Sequence, residues 1–157
     1  MTYRLFNRRQ LLQGSAAMAL AAVAPPASAA SYPPIAAYRN PSCGCCEKWA
    51  AHLTENGFQV TMQDDPELDK RRAAAGVPAD IGGCHTAYMG DHIIEGHVPA
   101  EDIIRFLAEK PHARGLAVPG MPMGSPGMEM GATRDAYDVL AFKADGTWGV
   151  FASHPKS

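Results

Sequence analysis

The sequence has no surplus of positive charge. Its 14 lysines and arginines stand against 16 acidic residues in a chain of 157. A surface of that balance is a poor counterpart for nucleic-acid phosphates or an anionic membrane. No run of like charge is long enough to form a tail. A long apolar run is missing too. The nearest candidate lies within NRRQLLQGSAAMALAAVAPPASAA, and it is alanine-rich, too short and too weak to span a bilayer. Cysteine is scarce, with four residues in all, Cys43, Cys45, Cys46 and Cys84. Three of them crowd into PSCGCCEKW. The two paired half-sites common in structural zinc sites are therefore absent.

The same N-terminal stretch reads as an export signal. Arg8 and Arg9 precede Leu11 and Leu12, an apolar segment follows, and small residues of the A-x-A kind close it at Ala27 and Ala29. The paired arginines favour the Tat route over Sec. Residues 1–30 are expected to be cleaved, leaving 31–157 as one compact domain of about 127 residues in the periplasm. The signal holds three arginines and no acids, so the mature chain has 11 basic and 16 acidic residues, a formal charge of −5.

Along the mature chain, PPIAAYRN reads as a short strand ending at Asn40-Pro41. Ser42 is the expected N-cap of a helix in which Cys46, Trp49, Ala50 and Leu53 share one apolar face. Asn56-Gly57 ends that helix. FQVTM alternates like a strand, and PELDKRRAAAG gives a second helix opened by Asp64 or Asp65 and closed by Gly76. Thr86–Met89 and His92–Glu95 form a hairpin about Gly90-Asp91. Pro99 opens a third helix with Ile103, Ile104, Phe106 and Leu107 inward. GLAVPGMPMGSPGMEMG is expected to hold no regular structure. A last hairpin turns at Asp145-Gly146. The order predicts an α/β fold with a thioredoxin-like core, β-α-β-α-β-β-α, followed by a Gly/Pro/Met-rich loop and a C-terminal β-hairpin. In that layout the chain before the third strand, GGCHT, packs beside the start of the first helix and brings Cys84 and His85 toward the other cysteines.

Cys43 and Cys46 are spaced C-x-x-C at a helix N-terminus, where the dipole lowers thiol pKa values. Thiolates serve metal ligation and disulfide exchange alike, so this spacing leaves three readings open. One is a metal site. The second is a thiol-disulfide oxidoreductase using Cys43 and Cys46. The third is a scaffold of structural disulfides. An exported protein would normally pair its cysteines, yet neighbours Cys45 and Cys46 make strained partners, and three crowded thiols with one distant thiol make a poor two-bridge scaffold. Cys45 has no task in a simple dithiol exchange. Exchange enzymes of the thioredoxin type also place a cis-proline before the third strand, where this chain has Cys84-His85. Met121, Met123, Met128 and Met130 add soft thioethers, which with thiolate and imidazole suit Cu(I) better than zinc. The cysteine spacing fits no iron–sulfur run. Beyond the four cysteines, the candidate ligands are His85, Met121, Met128 and His97. His52, His92, His112 and His154 are expected to be solvated, and Trp49 to be core.

NPSCGCCEKWAAHL, GVPADIGGCHTA, IEGHVPAEDI and GLAVPGMPMGSPGMEMG occur in this order over nearly the whole mature chain. Together they resemble the small exported metal-binding proteins of the CopG-like copper-resistance family. The resemblance implies a thioredoxin-like fold and copper handling in the periplasm. It implies that the C-x-C-C and C-H-T-A cysteines, here Cys43, Cys45, Cys46 and Cys84, carry the copper, and that several ions bridged by thiolates form the cluster. Periplasmic copper chaperones or efflux components are the partners such a role would need.

Overall fold

The computed structural model describes residues 32–109 and 111–157. The export signal read over residues 1–30 lies outside the described residues. Among the described residues seven strands and three α-helices follow one another: β1 Ile35–Arg39, α1 Cys45–Glu55, β2 Val60–Asp64, α2 Leu68–Ala74, β3 His85–Met89, β4 His92–Glu95, α3 Ala100–Glu109, β5 Gly115–Ala117, β6 Tyr137–Phe142 and β7 Trp148–His154. A short 3-10 turn, Ala79–Ile81, precedes β3. The strands make one mixed α/β sheet in the order β2-β1-β3-β4-β5-β6-β7. β1 runs parallel to β2 and antiparallel to β3, and β4 runs parallel to β5.

Alternation along the strands divides the core between the two faces of the sheet. Ile94, Leu116 and Val139 pack with Trp49 and Leu53 of α1 and Ile103 and Phe106 of α3. Their neighbours Ile93, Ala117 and Leu140 point the other way, to Ala75, Val77 and Ile81 around α2. The helices therefore cover both faces. The i, i+3, i+7 spacing from Cys46 is realised, with Cys46, Trp49 and Leu53 all buried. Among the described residues no helix is long and apolar enough to cross a membrane.

Three expectations need correction. Ser42 does not cap α1. Its hydroxyl donates to Asn40 Oδ1 at 2.7 Å, within a turn set by Asn40, and Gly44 is the residue at the helix start. The FQVTM strand is displaced two residues, to Val60–Asp64, because pairing with β1 fixes its register as Ile35 opposite Val60. The Gly/Pro/Met-rich segment is not wholly irregular. Its first residues form β5, which fills the place between β4 and β6 and ties the C-terminal hairpin into the sheet. Three residues carry too little local pattern to announce a strand; pairing on both sides makes one. Gly115 is required there, because any Cβ would run into the carbonyl oxygen of Ile93.

Candidate metal centre

The first three cysteines are placed by the turn into α1. Cys43 N–H donates to Asn40 O at 2.9 Å, and the Arg39 guanidinium donates to Cys43 O at 3.1 Å. Cys45 and Cys46 are the first two helical residues, and Cys46 points inward on the Trp49 face. Cys84 stands just before β3, and His97 lies two residues beyond β4. What lets these two chains meet is a pair of glycines back to back. A Cβ on Gly83 would sit 2.6 Å from Gly96 Cα, and one on Gly96 would sit 2.5 Å from Val118 O. Gly96 also has φ +69, a conformation side chains disfavour. With no side chain between them, the strands bring Cys84 Sγ within 2.8 Å of His97 Nε2.

Cys43 and Cys46 are joined as a disulfide, and Cys45 and Cys84 are free thiols. Cys45 Sγ is 3.4 Å from Cys43 Sγ, and Cys84 Sγ is 3.5 Å from Cys46 Sγ. The sulfurs of all four cysteines lie within 4.8 Å of one another. A second group, Cys46, Cys84, His85 and His97, is equally tight. The two groups share Cys46 and Cys84. The centre thus has a thiol end at the helix start and an imidazole end deeper in the protein.

The imidazole end is preset for ligation. His97 Nδ1 donates to the carbonyl of Pro126 at 2.6 Å, since a carbonyl only accepts. That fixes the tautomer and leaves the Nε2 lone pair facing Cys84. His85 is fully buried, its ring 4.0 Å from Trp49, and its Nε2 has no hydrogen-bond partner. Its Nδ1, 3.5 Å from Cys84 Sγ, is the nitrogen that faces the thiols. Burial holds His85 well below the usual histidine range and His97 below it, which favours the neutral form that binds metals. Burial, with Cys45 beside it, pushes the Cys84 thiol up to about 12. A cation bound there reverses that preference, because coordination deprotonates a thiol. The donor set therefore fits a soft cation, given reduction of the Cys43–Cys46 bridge.

The methionine segment straps over this centre. Gly127, at φ +85, lies so close to α1 that a Cβ would meet Trp49 N at 2.8 Å and Cys45 O at 2.9 Å. The strap delivers the Pro126 carbonyl to His97. An open cleft of about 400 Å³ leads to the thiols, lined by Cys43, Cys45, Cys84, Arg72 and Met121 among others. Met121 is half exposed at that cleft. Met128 is half-buried in the strap and does not line the cleft. Of the candidate residues, Cys43, Cys45, Cys46, Cys84, His85 and His97 come together, with Met121 at the entrance and Met128 apart.

Some contributors carry no sequence signal. Pro126 acts through its carbonyl, so residue type does not reveal it. Arg72, Thr86 and Glu95 form a network behind Cys84, and only the glycines of GGC and EGH hint at the close approach there. The expectation of four solvated histidines also needs correction. His52 Nε2 accepts Ala100 N–H at the start of α3, His154 pairs with Asp102 at 2.7 Å, and His92 packs edge-on against Phe106. His112 alone is exposed. Helix starts and buried acids draw in imidazoles that periodicity assigns to the surface.

A mixed sheet covered by helices, with crowded thiols at a helix start and buried imidazoles behind them, defines an α/β protein with a thiol–imidazole cluster capable of holding a metal ion. Two solved structures, both of a copper resistance protein CopG, share this architecture. The first, its form 1, is 43% identical with a TM-score of 0.75, over 80% of this chain and 99% of its own. The second, form 2, is 42% identical with the same TM-score, over 80% of this chain and all of its own. A family model described as a protein of unknown function, DUF411, matches residues 81–128, the span from Ile81 through Cys84 and His97 to Met128. Among curated proteins no match is found. The chain belongs to the CopG copper-resistance family.

Proposed function

We propose that the protein binds copper in the periplasm as part of copper resistance. It would hold Cu(I) through the thiolates of Cys43, Cys45, Cys46 and Cys84 as a sulfur-bridged cluster of several ions. His97 and His85 would complete the inner side, with Met121 at the entrance. The observation that carries this reading is convergence. Cys84 comes from 38 positions beyond Cys46, yet its sulfur lies 3.5 Å away, next to two neutral imidazoles. Thiolates and imidazoles crowded in this way suit a soft monovalent cation, and the CopG relatives are named for copper resistance. Closure of the Cys43–Cys46 bridge releases two electrons, enough to reduce two Cu(II) to Cu(I), so redox cycling of copper extends the same reading.

The context is proposed with it. Residues 1–30 act as a cleaved Tat signal, and 31–157 form one domain with a thioredoxin-like core. The run β1-α1-β2-α2-β3-β4-α3 and the sheet order β2-β1-β3-β4 support that core. Copper chaperones or efflux components of the periplasm would exchange the ions. Export is tested by replacing Arg8 and Arg9 with lysine, which should leave the precursor unprocessed in the cytoplasm.

The binding test is anaerobic titration of fully reduced protein with Cu(I) against a chromophoric chelator. More than one ion per chain, held much more tightly than micromolar, is expected. Less than one ion, or micromolar affinity, would sink the proposal. The Cys43–Cys46 disulfide favours a second reading, a thiol-disulfide oxidoreductase without metal. The two part at Cys45→Ser: it should impair copper binding if copper is the ligand, and be nearly silent in a dithiol enzyme.

A further inference from the structure

We propose that Arg72, Glu95 and Thr86 form an ion-pair clamp that positions Cys84 against His97; this rests on the copper reading above only for what the positioned pair then binds. Glu95 is fully buried, and its Oε1 accepts Arg72 Nε at 2.7 Å and Gly83 N–H at 2.7 Å. Its Oε2 accepts the buried Thr86 hydroxyl at 2.6 Å. Arg72 spends its other nitrogens on Gly83 O and Asp69 Oδ1, both at 2.7 Å. The residue before Cys84 is therefore gripped at both its N–H and its C=O by the two halves of one ion pair. The residue two after Cys84 is tied to the same carboxylate, and that carboxylate stands two residues before His97.

The backbone ladder between β3 and β4 ends just short of this crossing, with Gly96 N–H donating to His85 O at 2.9 Å. Beyond that bond Gly83 and Gly96 touch without side chains, so on the Cys84 side the clamp supplies the side-chain hold that a packed core would otherwise give. Hydrogen bonds to ionised groups supply direction as well as attraction, and the guanidinium fork offers three nitrogens at fixed angles that an ammonium lacks. A buried ion pair contributes little net stability over apolar replacements. Its use here is geometric. It holds the Cys84 sulfur and the His97 lone pair at 2.8 Å. These are positioning residues, outside the set of metal ligands.

The test uses the whole mature protein, metal-free, with the Cys43–Cys46 bridge intact. Iodoacetamide labels the two free thiols, and mass spectrometry reads Cys84 against Cys45 as the internal standard. Arg72→Met/Glu95→Gln removes both charges together while keeping an acceptor for Gly83 N–H. With an unchanged circular dichroism spectrum, its Cys84-to-Cys45 labelling ratio should rise about tenfold, the scale of one lost charge-assisted hydrogen bond. Arg72→Lys, which keeps the charge and loses the fork, should not restore the ratio. In the copper-loaded protein the thiolate-to-copper absorption should shift in both variants. If the double variant does not fold, Thr86→Val decides, with a rise of about threefold expected from one missing hydrogen bond. A wild-type labelling ratio in a folded variant overturns the clamp. A wild-type protein that binds no copper would sink the copper reading, and the labelling ratio would still decide the clamp.

Discussion

Gly83→Ala isolates the close approach on which the centre depends. The new Cβ would lie 2.6 Å from Gly96 Cα and 2.9 Å from Gly96 N, both backbone atoms that have no rotamer to escape by. Ordinary carbon contacts begin near 3.5 Å, so the two chains must part by about 1 Å. The Cys84–His97 contact, now 2.8 Å, would open to nearly 4 Å, the outer limit for a hydrogen bond to sulfur. Overpacking of this kind costs about 1–3 kcal/mol. For a domain of this size each kcal/mol lowers Tm by about 3–5 °C. Gly90→Ala is the control. Gly90 turns a chain at positive φ, +58, and a Cβ there meets nothing within 4 Å. It should cost about 1 kcal/mol of backbone strain and leave the centre alone. Thermal unfolding of the metal-free protein gives the first number, and Cu(I) competition gives the second. Gly83→Ala should lose both stability and at least about tenfold in copper affinity, one order per 1.4 kcal/mol; Gly90→Ala should lose stability only. A Gly83→Ala protein that keeps the Tm and copper affinity of the parent would refute the reasoning.

Other outcomes follow from particular contacts. Air-equilibrated, metal-free protein denatured without reductant should show two titratable thiols, Cys45 and Cys84, and four after reduction, checked with a thiol reagent. Trp49→Phe removes the indole N–H that donates to Val98 O at 2.9 Å in the core, and should cost about 1–3 kcal/mol in denaturant unfolding. Burial beside Glu101 and Asp102 raises the Tyr137 phenol to about 12. An ultraviolet titration should find one tyrosine ionising well above the ordinary phenol range; the unfolded phenol ionises first, near 10, so this contribution to stability is intact below 10 and lost as pH rises toward 12.

Much of this architecture is legible because periodicity reports burial. Cys46, Trp49 and Leu53 read as one helical face, and they are one. The Gly90-Asp91 hairpin reads from its turn, and Gly90 sits at φ +58 as that turn needs. The meeting of Cys84 with the other thiols is expected from the analogy of element order with a thioredoxin-like layout, which places the chain before β3 beside the start of α1. What stays hidden depends on pairing that no local window contains. β5 is three residues long and exists because β4 and β6 flank it. Pro126 matters through a carbonyl every residue has. Arg72 reads as one charge in a helical DKRR run, although its side chain reaches inward to a carboxylate 23 positions away.

Cys45 separates the readings of the centre more sharply in the structure than in the sequence. In the sequence it is a third thiol with no partner. In the structure the Cys43–Cys46 bridge closes beside it, and it remains half-buried and free, 3.4 Å from Cys43 Sγ at the cleft. A dithiol that exchanges with an outside partner needs an exposed attacking sulfur and a second that resolves the mixed disulfide. A third thiol has no part in that exchange. A soft-metal centre gains from the same crowding, since each added thiolate raises the negative charge offered to the cations and supplies another bridging sulfur. The sulfur that exchange does not use is the one a cluster would use. That is why replacing this single sulfur discriminates between the two chemistries.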